Sequence, residues 1–284
     1  MKKVIVVTGG GGFIGHHLTK RLLERSRVLV LDNFVRGSSS RLAKLASDDL
    51  IVKNCDITNY ELLASSLEEF DVEVIYHLAA INGTGNFYTI PIQIMDVGVL
   101  GCYNIIKYAS RKNISKTIVA SSAEVYQDAD IVPTPEDVPL IVPDVKNPRY
   151  SYALSKIYTE YYAFQYALQN NLNISVFRPH NVYGPDMGLQ HVIPQFIMEF
   201  LKNEDDEIAK IKTKGSLDSI RAFCYVDDII DGLEIIEKEN KEPNVYNIGN
   251  NEKISMKNLL NEISKITDIS FKISEDTSDM HHGG

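Results

Sequence analysis

The apolar run Val4-Ile-Val-Val7 passes directly into Thr8-Gly9-Gly10-Gly11-Gly12-Phe13-Ile14-Gly15, and this junction constrains the fold more than any other part of the chain. After it, His16-His-Leu-Thr-Lys-Arg-Leu-Leu-Glu24 carries apolar residues at helical spacing. The order is buried strand, glycine turn, amphipathic helix. Gly10, Gly12 and Gly15 satisfy the dinucleotide fingerprint, and Gly9, Gly12 and Gly15 a closely related spacing. Such glycines permit a tight turn, close approach of backbone to a pyrophosphate, and close packing of helix on strand. The helix N-terminus adds free N–H groups and the positive end of a dipole. A second strand, Arg27-Val-Leu-Val-Leu-Asp32, ends on an acid placed to bond a ribose 2′-hydroxyl. Asp32 repels a 2′-phosphate, so NAD is expected rather than NADP, with Arg36 the one nearby residue arguing the other way.

Strand-like runs recur at Leu50–Asp56, Val72–Ala80, Lys116–Ser122 and Asn173–Arg178, with helical candidates near 59–69, 91–112 and 151–170 between them. Alternating strand and helix with continuously apolar strands means an α/β fold, a Rossmann doubly wound parallel sheet. Ligands then sit at the carboxyl ends of the strands, where Gly12, Asp32, Asp56, Ala79 and Ser122 fall. From about residue 180 the pattern loosens. A smaller C-terminal substrate-binding lobe is expected from 179–221 and 251–284, grafted on an NAD-binding domain of 1–178 with a returning segment near 222–250.

A net charge of −9 argues against a nucleic-acid or anionic-membrane partner. Cys55, Cys102 and Cys224 are scattered, without paired spacing, which suits a reducing compartment better than disulfides or zinc. No His/Cys/Asp set has metal-ligand spacing, so no metal is expected. No apolar stretch approaches the roughly 20 residues of a membrane span, and a cytoplasmic location is expected. The tail Asp279-Met-His-His-Gly-Gly284 is easily mistaken for a tag or metal tract.

Tyr152 and Lys156 stand one helical turn apart, on the same face. A phenol with a pKa of about 10 is a poor base at neutral pH, and a neighbouring ammonium is expected to bring it down. The pair offers a way to move a proton on and off an alcohol.

Together with Leu31-Asp-Asn33, Cys55-Asp-Ile57, His77-Leu-Ala-Ala80, Ser121-Ser-Ala-Glu-Val-Tyr126, Arg178-Pro-His-Asn-Val-Tyr-Gly-Pro185 and Arg221-Ala-Phe-Cys-Tyr-Val-Asp-Asp228, these motifs resemble the extended short-chain dehydrogenase/reductase family, in its nucleotide-sugar epimerase and dehydratase branch. The resemblance spans essentially the whole chain. It implies NAD bound by Gly9, Gly12, Phe13, Ile14, Gly15, Asp32, Asn33, Asp56, Ile57, Leu78, Ala79, Ala80, Tyr152 and Lys156. It implies catalysis by Ser122, Tyr152 and Lys156, with Glu124 where the family's dehydratases and decarboxylases carry a working Glu. Asn181 and Arg221 match positions that hold the sugar-nucleotide diphosphate, and His180, His191 and Val192 lie in segments expected to meet the substrate. The implied chemistry is oxidation of a sugar hydroxyl at C4, with 4-epimerisation the expected outcome and net dehydrogenation or 4,6-dehydration the alternatives. A homodimer is also implied, through helices near 95–112 and 151–170, and the Arg178 segment looks like enzymes of surface-polysaccharide pathways. The chain departs from the pattern at Ala123, where many 4,6-dehydratases place an Asp acid, at Gly98 for Asn, at Cys102 for Thr, and at Gln127 for Gly.

Overall fold

The computed structural model describes residues 2–202, 208–213 and 215–274. The acidic end of the run Lys202–Glu207 and the tail Asp279–Gly284 lie outside the described residues.

In chain order the elements are β1 (Lys2–Thr8), α1 (Phe13–Leu22), β2 (Val28–Asp32), α2 (Ser39–Ala43), β3 (Leu50–Asn54), α3 (Tyr60–Leu67), β4 (Phe70–His77), α4 (Thr84–Thr89), α5 (Pro91–Lys112), β5 (Lys116–Ala120), α6 (Ser151–Asn170) and β6 (Ile174–Pro179). There follow β7 (Val182–Tyr183), α7 (Val192–Leu201), β8 (Ile208–Lys212), β9 (Ile220–Ala222), β10 (Cys224–Tyr225), α8 (Val226–Glu239), β11 (Asn244–Ile248), β12 (Lys253–Ser255), α9 (Met256–Thr267) and β13 (Ser270–Ser274). Two compact units result: Met1–His180 with Val226–Ile248, and Asn181–Tyr225 with Gly249–Gly284.

The first unit is built on a seven-stranded sheet in the order β11-β6-β5-β4-β1-β2-β3. All its pairings are parallel. Parallel strands are covered on both faces, which is why β2 and β5 are buried at every position. Alternate residues of β1 serve the two faces. Val4 and Val6 join Leu29, Leu31 and Ile75 against Leu63 and Leu67 of α3 and Ile105 and Tyr108 of α5. Farther along the sheet, Val119 and Val176 pack with Cys102 and Ile106 of α5 and Ala163 and Ala167 of α6. Helices α1 and α8 are joined by ion pairs, Arg21 with Asp231 at 2.7 Å and Glu234 at 3.2 Å, and Arg25 with Glu234 and Glu237.

The second unit has its own core, where Phe196 and Phe200 of α7 meet Ala209 and Ile211 of β8 and Leu260 of α9. Its strands form short pairs: β7 with β10, β9 with β12, and β8 with β13. The looseness read from the sequence is real at the level of the sheet, but α7, α9 and this core give the unit an interior.

In the β1–α1 turn the glycines of both spacings are close-packed, Gly10 included, where a Cβ would lie 2.7 Å from the Val30 side chain. Gly9 has φ +74°, and a Cβ there would lie 2.8 Å from the Ala79 backbone. A Cβ on Gly15 would stand 2.2 Å from the Gly9 carbonyl oxygen. The turn therefore closes on itself through the Gly9 and Gly15 pair. Replacing Gly15 by Ala should cost about 1–3 kcal/mol of stability through overpacking. Urea unfolding measures it, and a loss below about 0.5 kcal/mol, the range of neutral surface changes, would show that the turn relaxes freely.

Candidate active site

At the carboxyl ends of β1, β2 and β4, backbone and side chains form a cradle. Gly12 caps α1 without a side-chain hydrogen bond, so the first-turn N–H groups stay available for an anion. Asp32, at the end of β2, is 7% exposed. Its Oδ2 accepts the Gly11 N–H at 2.9 Å and its Oδ1 the Phe34 N–H at 2.7 Å. Each carboxylate oxygen keeps a further lone pair for a ribose hydroxyl. Asn33 caps the same loop by accepting from the Val35 N–H at 3.2 Å. Arg36 is exposed.

Thr8 ties the ends of β1 and β4 together. Its Oγ1 accepts the Ala79 N–H at 3.2 Å and lies 2.8 Å from His77 Nδ1. Burial, helped by the charge of Lys156, lowers the His77 pKa to about 3, so the ring is neutral and structural. Leu78, Ala79 and Ala80 follow, half-buried, as do Phe13 and Ile14 at the start of α1. Asp56 Oδ1 accepts from the Thr58 N–H at 2.9 Å and its hydroxyl at 2.8 Å. Asn104 of α5 donates to the carbonyls of Ile57 and Thr58. A turn whose glycines leave no room for Cβ atoms, an open helix N-terminus and a strand-end carboxylate together fit a dinucleotide with a free 2′-hydroxyl.

The second half of the site lies at the end of β5. Ser122 caps the one-turn 3₁₀ segment Ala123–Val125, its Oγ accepting the Glu124 N–H at 3.2 Å. Tyr152, in the first turn of α6, is 7% exposed and stacks on Phe87 with ring centroids 5.7 Å apart. Lys156 donates from Nζ to the Ala120 carbonyl at 2.7 Å, with Nζ 5.7 Å from the Tyr152 ring centroid. Burial lowers the Lys156 pKa to about 8, against smaller opposing contributions from Cys102 and Glu160.

Here the structure corrects the sequence. Lys156 does not by itself depress the Tyr152 phenol. Burial pushes that pKa up, the Ser122 hydrogen bond pulls it back, and the Glu124 charge pushes it up again. Desolvation of the phenolate dominates. Glu124 itself is exposed. Gln127 adopts φ +50°, which accounts for Gly being usual at that position. Gly98 lies against α6: a Cβ there would come within 2.7 Å of Ser155 Cβ and Oγ.

Beneath Ser122 runs a buried polar network that sequence reading missed. Glu160 takes the guanidinium of Arg178 bidentately, Nε to Oε1 at 2.8 Å and Nη2 to Oε2 at 2.6 Å, and also accepts from the Ser121 hydroxyl. Arg178 continues to the Tyr126 hydroxyl and to the Glu136 carbonyl. Tyr126 donates to Asn247 Oδ1 at 2.8 Å. The available signal was the repeat Tyr152, Lys156, Glu160 along one helix face. His180, half-buried, meets Asn247 in the first unit. The other expected substrate residues belong to the second unit. Asn181, at φ +39°, donates to the Ala222 carbonyl at 3.1 Å. His191 caps α7, Val192 packs on the core of that unit, and Arg221 is exposed on β9.

These features coincide with what comparison with known proteins finds. Residues 5–249 match the model of the NAD dependent epimerase/dehydratase family. The chain belongs to that family, is an enzyme of it, and uses NAD. It is 31% identical over 277 residues, 96% of this chain and 83% of the relative, to a UDP-N-acetyl-alpha-D-glucosaminuronate decarboxylase of Bacillus cytotoxicus. It is 32% identical over 266 residues, 92% of this chain and 81% of the relative, to a putative UDP-glucose 4-epimerase of Methanocaldococcus jannaschii. Among solved structures, a dTDP-glucose 4,6-dehydratase from Streptomyces venezuelae with NAD bound superposes with a TM-score of 0.82, at 25% identity over 96% of this chain and 84% of the other. No described helix is long and apolar enough to cross a membrane.

Two measurements test the geometry. Tyr152→Phe should keep the fold and lose roughly 10²- to 10⁴-fold in turnover, read with the true substrate. For Lys156, a folded pKa of about 8 against the ordinary 10.5 means that the folded chain holds this proton less tightly than the unfolded one. That penalty is complete below the folded value and lifts as pH rises from about 8 to 10.5. Wild-type stability should therefore rise relative to Lys156→Met across that window. Parallel denaturation curves at its two ends would refute the assignment if the difference stayed constant.

Proposed function

We propose that this enzyme oxidises the C4 hydroxyl of a nucleotide-linked sugar with Tyr152 as base and returns the sugar as its 4-epimer. The Ser122–Tyr152–Lys156 set at the strand ends carries the reading. Tyr152 Oη takes the hydroxyl proton while Ser122 Oγ holds the same oxygen in place. NAD, held by the glycine turn and Asp32, would supply the acceptor for the C4 hydride and a positive charge. Lys156 supplies a second positive charge beside the developing phenolate. On the return, Tyr152 gives its proton back to the C4 oxygen, so the cycle consumes nothing. Ala123 favours a path that expels no water, since the position carries no acid to protonate a leaving hydroxyl. Asn181, His191, Val192 and Arg221 are assigned to the nucleotide-sugar, and the buried cysteines Cys55, Cys102 and Cys224, none in a disulfide, suit a reducing cytoplasm.

A second reading is decarboxylation, favoured by the names of similar proteins from Bacillus cytotoxicus and Arabidopsis thaliana, the latter UDP-glucuronic acid decarboxylase 3 at 31% identity. Oxidation at C4 makes a C6 carboxylate β to a ketone. Carbon dioxide leaves as its electrons pass to the C4 oxygen, where Ser122 and Tyr152 wait, and this too needs no acid at Ala123.

The chain is further proposed to form a homodimer through α5 and α6. Tyr158, Tyr162 and Tyr166 follow one another along α6 at 5.5 Å between successive rings, the first pair stacked and the second tilted, and Tyr103 of α5 lies 5.7 Å from Tyr162. Leu100, Tyr103, Tyr161 and Leu168 are exposed on these two helices.

Incubation with UDP-, GDP- and dTDP-linked hexoses and hexuronates, read by mass spectrometry and chromatography, decides between the chemistries. Unchanged mass with a new retention time is expected. Loss of carbon dioxide would establish the second reading, and loss of water or of two hydrogens would overturn both. Light scattering at micromolar concentration should give a dimer, and Tyr161→Glu a monomer. A monomeric wild type would dispose of the helix-pair interface.

A further inference from the structure

His180 directly precedes Asn181, and the structure ties its ring into a buried polar chain that the chemistry above does not use. It directly follows β6, beside the end of β5, where the Ser121 N–H bonds the Phe177 carbonyl at 2.8 Å. Its ring lies 6.0 Å from that of Tyr126 and its Nε2 is 3.2 Å from Asn247 Oδ1.

The direction of every hydrogen bond behind it is fixed. The Glu160 carboxylate accepts and the Arg178 guanidinium only donates, so Tyr126 Oη receives a hydrogen bond from Arg178. The hydroxyl hydrogen of Tyr126 is then free to go to Asn247 Oδ1. The Asn247 amide cannot be reversed, because its Nδ2 faces the Thr134 carbonyl at 2.9 Å, and a carbonyl only accepts. His180 Nε2 thus faces an oxygen and must carry the ring proton. Nδ1 is left as a lone-pair acceptor, with no buried orphan status and no partner among the described residues.

We propose that His180 is a specificity-determining residue whose Nδ1 accepts a hydrogen bond from a sugar hydroxyl, its tautomer set by the buried chain Glu160, Arg178, Tyr126 and Asn247. The inference rests on the nucleotide-sugar reading above and adds the sugar feature that the site recognises. A phenyl ring at 180 fills the same space but offers no acceptor. Asn247 and the residues behind it act as positioning residues, since they reach the substrate only through the imidazole.

The test uses NAD-loaded full-length protein. With ¹⁵N-labelled histidine, the His180 signals, assigned by their absence from His180→Phe, should show the proton on Nε2. A proton on Nδ1 overturns the inference. Among the nucleotide sugars of the panel, the one that wild type converts should shift the Nδ1 resonance, whereas its nucleoside diphosphate alone should not. His180→Phe should raise KM for that sugar about tenfold, the worth of one neutral hydrogen bond, with kcat changed less than about twofold. This variant is expected to fold, because Tyr126 still satisfies Asn247 Oδ1. An unchanged KM with normal turnover removes the role of His180 alone. Failure of wild type to bind any sugar of the panel removes the nucleotide-sugar reading and this inference with it.

Discussion

Glu160 and Arg178 are the interaction on which the active-site half of the sheet depends. Both side chains are almost completely removed from water, at 6% and 4% exposure, and each satisfies the other bidentately. Such a pair contributes little net stability against a well-packed apolar alternative, yet losing one partner costs about 3–5 kcal/mol because the other charge is stranded. Its worth lies in what it orders. Glu160 belongs to the helix that carries Tyr152 and Lys156, Arg178 to the strand next to Ser121 and Ser122. One ion pair therefore fixes helix α6 against strands β5 and β6 close to Ser122.

The same dryness shapes the chemistry. Burial shifts both Tyr152 and Lys156 toward the form that carries less charge, raising the pKa of the phenol and lowering that of the ammonium to about 8, which leaves Lys156 mostly protonated at neutral pH. A phenol so placed is a weak base at rest. On the proposed mechanism its strength as a base is coupled to loading, because a positive charge brought beside it would act where little water screens it.

Most of the first unit was legible in the sequence because its signals are local. A strand, a glycine turn and a helix are contiguous between Lys2 and Leu22, and Tyr152 and Lys156 share one turn. Burial is also visible where strands carry apolar runs, Val28–Leu31 in β2 and Ile118–Ala120 in β5. The support beneath Ser122 was hidden because it is tertiary: Glu160 and Arg178 are 18 residues apart, Tyr126 and Asn247 are 121 apart. No periodicity connects such partners. The second unit resisted for another reason. Strands of two to five residues, such as β7 and β8, carry too few alternations to stand out. The Tyr152 pKa was misjudged because a sequence shows a neighbour's charge but not the solvent both have lost.

The absence of a side chain at Gly98 has a genetic consequence. Because α6 approaches so closely there, positions 98 and 155 are coupled: a Cβ at 98 would stand 2.7 Å from Ser155 Cβ and Oγ, so the helices or the serine must give way to any side chain placed there. Substitutions at 98 and 155 should therefore not add, the effect of one depending on the residue at the other.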